Sequence, residues 1–104
     1  MKTMIPLAMV IMAFSAVQRP ALASEALAQK YACIGCHQAN ARLVGPSWKE
    51  IATKYKDNPK AAQQLSTSIR SGGSGKWGAI PMPAQPQVPD ADIAALARWI
   101  LSQK

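Results

Sequence analysis

Both cysteines and the one histidine of this 104-residue chain fall in five consecutive positions, Cys33-Ile34-Gly35-Cys36-His37. C-x-x-C-H is the attachment signature of c-type haem. Each vinyl group of a haem needs one thiol to form a thioether, and two intervening residues let one short turn reach both. The adjacent histidine then lies under the iron and can bind it through a ring nitrogen. Other uses of these residues fit less well. A thioredoxin-like dithiol expects a βαβ setting. Zinc usually takes four ligands, more than this sequence offers. A lone histidine is often a plain core residue, but this one directly follows the paired thiols.

The N-terminus argues for export on separate grounds. Lys2 gives a positive start, Met4 to Val17 is an uncharged and mostly apolar run of 14 residues, and Gln18, Arg19, Pro20 and Ala21-Leu22-Ala23 follow. That is the n-region, h-region and A-x-A order of a secretory signal. The run is short for a membrane span, which needs about 20 apolar residues, so an uncleaved anchor is the weaker reading. Cleavage after Ala23 is expected to separate a signal peptide, residues 1–23, from a mature domain, residues 24–104, of 81 residues. Haem is attached to proteins of this class outside the cytoplasm, so leader and motif agree on the periplasm. Two unused cysteines there would tend to form a disulfide.

Removing the leader sharpens the composition. Four of the five methionines lie within it, and the mature chain keeps only Met82. Its 10 basic and 5 acidic residues leave a net charge of +5, against +7 for the whole chain. A chain this short makes one domain with a modest core, and such domains commonly need a disulfide, a metal or another staple. A covalently held haem, large and apolar, would fill that role.

The mature chain shows no internal repeat, no charge block and no convincing strand alternation. Helical spacing is plain. Ser24 is placed to cap a short helix over Glu25 to Tyr31 that ends at the haem motif. Ser47-Trp48-Lys49-Glu50 reads as a capping box, followed by one apolar face of Trp48, Ile51, Ala52 and Tyr55. Asn58-Pro59 is a second start signal, with the proline at the first helical position. Ala62, Leu65 and Ile69 are expected to line that helix and Gly72 to end it. Ile93, Leu96, Ala97, Ile100 and Leu101 give a last helix, with Asp90 and Asp92 at its positive N-terminal end. Between the last two helices, Gly72 to Pro89 holds four glycines and four prolines in 18 residues, which excludes a long helix or a central strand. Trp77, Ile80 and Met82 within it favour an ordered, packed loop. The expected architecture is all-α: four short helices around a haem, with one Pro/Gly-rich loop.

Haem iron held by one histidine has a sixth position to fill, and His/Met ligation is a standard solution that raises the reduction potential. The mature chain offers Met82 and no second histidine. Pro81 and Pro83 stiffen the backbone on either side of it, so the loop can hold a weak thioether in place. Most methionines are core filler; this one is unique, sits in a loop, and matches a missing ligand.

Cys33–His37, Val44-Gly45-Pro46, Gly75-Lys76-Trp77-Gly78-Ala79-Ile80-Pro81-Met82-Pro83 and Trp99-Ile100-Leu101-Ser102-Gln103-Lys104 together resemble the small bacterial class I cytochromes c-551/c-552. The similarity covers essentially all of residues 25–104, with the motifs in the right order. It implies that His37 and Met82 bind iron from opposite faces. It also implies that Pro46 offers its carbonyl to the other nitrogen of His37, and that Trp77 donates to a haem propionate. Elementary chemistry fits both: metal-bound histidines usually donate their other N–H to an acceptor, and a buried indole N–H wants one. Two positions depart from the pattern. Gln85 stands where an asparagine near the ligand sulfur is usual. Ser68 stands where a basic residue near the propionates is usual, and Arg70 would point elsewhere on its helix.

A six-coordinate haem has no open position for substrate, so the chain reads as a periplasmic one-electron carrier and not an enzyme. The resemblance implies electrons received from a bc1-type complex and passed to a nitrite reductase or terminal oxidase. It also implies transient docking at a haem edge rimmed by Ile34, Leu43, Ala79, Pro83 and Ala84. A basic excess suits acidic redox partners. The chain carries no nucleic-acid-binding motif, and a monomer without a stable membrane anchor is expected. If Met82 did not ligate, an open iron would instead suit a haem enzyme or a gas sensor.

Overall fold

Local capping decides where the second helix of this chain begins. In the computed structural model, which describes Ala8 and residues 20–104, the Ser47 hydroxyl accepts the Glu50 N–H at 3.0 Å, ahead of helix α2, Trp48–Lys54. Only this half of the capping box forms, because the Glu50 carboxylate turns to Arg42 instead, at 3.2 Å. The described residues form three further helices: α1, Pro20–Lys30, α3, Ala61–Ser71, and α4, Asp90–Leu101. A single 3-10 turn, Cys33–Gly35, follows α1. The described residues contain no strand, only two isolated β-bridges.

Helix α4 is the centre of the fold, packing against α1, α2 and α3. Its inward face of Ile93, Leu96, Ala97, Trp99 and Ile100 is buried, together with Trp48, Ile51 and Tyr55 from α2 and its end and Ala61, Leu65 and Ile69 from α3. Burial of this one apolar surface is the main favourable contribution to the fold. The two aspartates at the start of α4 do more than complement its dipole. Asp92 accepts the Tyr31 hydroxyl at 2.6 Å, fixing the end of α1, and Asp90 pairs with Arg70 of α3.

Two helix starts differ from the sequence expectation. Ser24 does not cap α1 but lies within it, buried, its hydroxyl donating to the Ala95 carbonyl at 3.3 Å. The described part of that helix already includes residues 20–23 ahead of it. Likewise α3 begins at Ala61, after Pro59. The Asn58 side chain accepts the Lys60 N–H at 2.9 Å, which makes residues 58–60 a turn preceding the helix. Ala61, not Ala62, then joins Leu65 and Ile69 in the core. Both positions stand at helical spacing from Leu65, so periodicity could not separate them. Leu101 is only partly buried, at the edge of the core.

Candidate haem site

The C-x-x-C-H segment is a tight turn entered through Ala32, whose φ of 59° is left-handed. The Cys36 and His37 N–H groups both donate to the Cys33 carbonyl, at 3.1 and 3.0 Å. Cys33 is half-buried against the core and Cys36 is exposed, both as free thiols. Burial pushes the Cys33 thiol above its ordinary value.

His37 is fixed from three sides. Its Nδ1 lies 2.7 Å from the Pro46 carbonyl. Proline's carbonyl can only accept, so Nδ1 carries the proton and Nε2 keeps a free lone pair. Trp48 stacks on the ring, with centroids 4.7 Å apart and planes 22° from parallel, and Trp99 meets Trp48 edge-on at 5.3 Å. Gly45 closes the third side. A Cβ there would fall 2.8 Å from His37 Cε1 and 3.1 Å from Nδ1, so the ring rests where a side chain would be. The loop 38–46 is stitched down by backbone bonds from Gly45 to Cys36 at 2.8 Å, Trp48 to Gln38 at 2.9 Å and Lys49 to Ala39 at 3.2 Å.

Met82 is half-buried against the same core, as is Trp77. The methionine is seated just past the end of α3 by a two-way backbone pair within the loop, Gly73 N–H to Met82 O at 3.0 Å and Met82 N–H to Gly73 O at 2.8 Å. Gly72 makes this seat possible. Its φ is +66°, and a Cβ would fall 2.4 Å from the Met82 carbonyl oxygen and 2.7 Å from the Ala84 nitrogen. Farther along, Gln85 N–H donates to Ile69 O at 3.1 Å. The Gln85 amide turns to the Pro83 carbonyl at 3.2 Å and to Gln87 at 2.8 Å. Arg70 reaches the Pro86 carbonyl at 3.2 Å and secures the end of the loop, while the Ser68 hydroxyl bonds back to Gln64 at 3.0 Å within its own helix.

Sequence reasoning missed the residues around these ligands. Trp48 is buried in the core as its helical spacing implies, and its ring is also the surface on which His37 lies. Trp77 is surrounded by cations: Arg42 donates to its carbonyl at 2.8 Å and the Lys54 ammonium sits 4.3 Å from its ring centroid. Lys76 bonds the Tyr55 hydroxyl at 2.6 Å. A cleft of about 570 Å³ opens beside His37, lined also by Ile34, Trp48, Trp99, Glu25 and Gln103. Neither Met82 nor Trp77 lines it, so it is not the space between the two residues.

An all-α fold with paired thiols on one turn and an imidazole with one free nitrogen defines a class of haem proteins. The Cytochrome c family model matches residues 21–104. Cytochrome c-552 of Nitrosomonas europaea is 53% identical over 78 residues, 75% of this chain and 76% of that protein. Cytochrome c-551 of Allochromatium vinosum is 47% identical over 92 residues, 86% and 98% of the two chains. The crystal structure of the wild-type Nitrosomonas europaea cytochrome c552 superposes with a TM-score of 0.75 at 51% identity, covering 77% of this chain and 99% of that one. The chain belongs to the cytochrome c family, among its small class I members of the c-551/c-552 kind. It takes one c-type haem, attached covalently, and Cys33 and Cys36 fit the attachment motif. Its relatives make it an electron-carrying cytochrome.

Proposed function

We propose that His37 and Met82 are the two axial ligands of a low-spin haem attached to Cys33 and Cys36, and that the protein carries single electrons between partners in the periplasm. The haem supplies the one-electron chemistry. The chain fixes the ligands and shapes the surface. The observation that carries the reading is the His37 Nδ1 to Pro46 contact at 2.7 Å. It leaves Nε2 as the free donor and raises its basicity, as a second hydrogen bond does for a metal-bound imidazole. The half-buried Met82, seated on Gly73, supplies the thioether from a different loop. Trp77 is the proposed propionate donor.

Ile34, Leu43, Val44 and Ile80 are large apolar residues, each about half or more exposed, and Ala79, Pro83 and Ala84 are exposed as well. Exposed apolar side chains of this kind suit a brief redox encounter with a small interface. The basic excess would steer it toward acidic partners. A bc1-type complex as donor and a nitrite reductase or terminal oxidase as acceptor fit this chemistry. Residues 1–23 are proposed to act as a signal peptide cleaved after Ala23. Among the described residues no helix is long and apolar enough to cross a membrane.

The absorbance spectrum of the ferric protein tests the ligand assignment. The weak long-wavelength band of methionine-bound ferric haem is expected, and it should vanish in Met82→Ala while the haem stays attached. The potential should fall in that variant because the thioether favours ferrous iron. A high-spin spectrum in the unaltered protein would point to an open iron and to an enzyme or sensor.

A further inference from the structure

The loop between Gly73 and Met82 is held to the rest of the fold in an unusual way. Among the described residues it makes no backbone hydrogen bond to another element, only the pair it forms with itself at Gly73 and Met82 and a turn from Gly75 to Gly78. Besides the packing of Trp77 and Met82 on the core, its hydrogen bonds to other elements come from cationic side chains. Lys76 reaches the Tyr55 hydroxyl, Lys54 reaches the Lys76 carbonyl at 3.4 Å, and Arg42 reaches the Trp77 carbonyl at 2.8 Å across 35 positions of sequence. Arg42 alone among these starts from the histidine side. Its backbone pairs with His37 in an isolated antiparallel bridge, and its second nitrogen meets the Glu50 carboxylate at 3.2 Å.

We propose that Arg42 is a positioning residue for the electron-transfer site: through the Trp77 carbonyl it holds the Met82 loop against the His37 loop and sets how readily Met82 leaves the iron. This rests on His37 and Met82 being the axial ligands. Arginine suits the role because its rigid fork can satisfy a carbonyl and a carboxylate at once, where lysine offers one point charge. Glu50 orients the fork from α2. Releasing the contact frees the middle of the loop, five residues short of the methionine, while the seat on Gly73 stays intact.

The test is an imidazole titration of the ferric holoprotein, followed by loss of the methionine band. Imidazole binds the iron only where the thioether has left it, so its apparent affinity reports the open fraction of the loop. Arg42→Gln is expected to bind imidazole about fivefold more tightly than the unaltered protein, the modest size being that of one charge-assisted bond at a half-exposed site. Glu50→Gln should change it by about twofold, since the Trp77 contact survives without its orienting partner. Arg42→Lys should fall between. A contact that served only global stability would lower the melting temperature and leave imidazole affinity at room temperature unmoved. Unchanged affinity in Arg42→Gln, with the methionine band present, overturns the proposal. Absence of that band in the unaltered protein overturns the ligand assignment itself, a separate and distinguishable failure.

Discussion

Residues 38–46 buttress one proposed iron ligand, His37, and residues 72–89 carry the other, Met82, yet the two loops are secured by different means. The first loop is short, begins one residue after His37, and is stitched by backbone bonds to Cys36, Gln38 and Ala39. Its key acceptor, the Pro46 carbonyl, is buried and rigid. The second is twice as long, rich in glycine and proline, and tied down in its middle by lysine and arginine side chains. Side-chain bonds at a half-exposed surface are worth little individually, and among the described residues the middle of the second loop has no backbone bond to another element, whereas the first is bonded to the start of α2. The difference teaches that the histidine end of the site is built into the chain, next to the covalent anchor, whereas the methionine end is a docked segment. Opening, ligand exchange and early unfolding should all begin at Met82.

The largest expected effect comes from removing the anchor that both loops share. A Cys33→Ala, Cys36→Ala chain, without attached haem, should be largely unfolded. Its four short helices have little apolar burial to offset a conformational entropy cost of about 1–2 kcal/mol per residue. Circular dichroism checks this, and a native-like cooperative melt would show that the loops do not need the haem at all.

Next come the two glycines on which the ligands rest. Gly72→Ala would place a Cβ against the Met82 carbonyl at a positive φ and should cost about 2–4 kcal/mol. It should also weaken the methionine band. Gly45→Ala would push the His37 ring off the Pro46 carbonyl, at about 1–3 kcal/mol. It should raise the potential by making the imidazole less basic, while leaving the methionine band in place. Urea unfolding and a redox titration of both variants would separate the two ends of the site.

The fold was legible wherever the signal was local. Ser47 and Glu50 announced α2, and the spacing of Ile93, Leu96, Ala97 and Ile100 announced the face of α4. What was not legible depends on residues far apart in the chain. Ser24 looked like a cap because its partner, the Ala95 carbonyl, is 71 positions away. Arg42 at Trp77 has no periodic or motif signature, since that contact arises only when two loops meet, and the Val44-Gly45-Pro46 motif did not reveal that Gly45 would abut the His37 ring. The C-x-x-C-H motif carried the haem by itself, whereas the Pro46 and Trp77 roles rested on resemblance. Gln85 stands in a place where a sulfur contact is usual, yet its amide faces Pro83 and Gln87.

A smaller effect concerns how partners read the two loops. Replacing Ile34, on the histidine side, or Pro83, on the methionine side, with a lysine should slow electron transfer to the physiological acceptor by about tenfold, because a charge would be desolvated in an apolar contact. Lys76→Ala should alter mainly the salt dependence of the rate. If Ile34 mattered and Pro83 did not, docking would involve the histidine side alone.

The smallest expected effect lies outside both loops. The hydrogen bond to Asp92, with loss of water and the carboxylate's charge, holds the Tyr31 phenol above its ordinary value. A raised value means that the contribution is fully present below the ordinary phenol value of about 10 and is lost as the pH rises through the folded one. Tyr31→Phe should therefore be slightly less stable at neutral pH, and the gap in melting temperature should close above pH 10. A gap that persisted there would assign Tyr31 a packing role only.

The contrast between the two ends is tested most directly by unfolding the ferric holoprotein in urea while recording the methionine band and the helical circular dichroism on the same samples. A docked Met82 loop requires the band to disappear at distinctly lower urea than the helices, with the haem still bound through His37. Coincident loss of band and helix would contradict this account, because the methionine loop would then be as firmly part of the fold as the histidine loop.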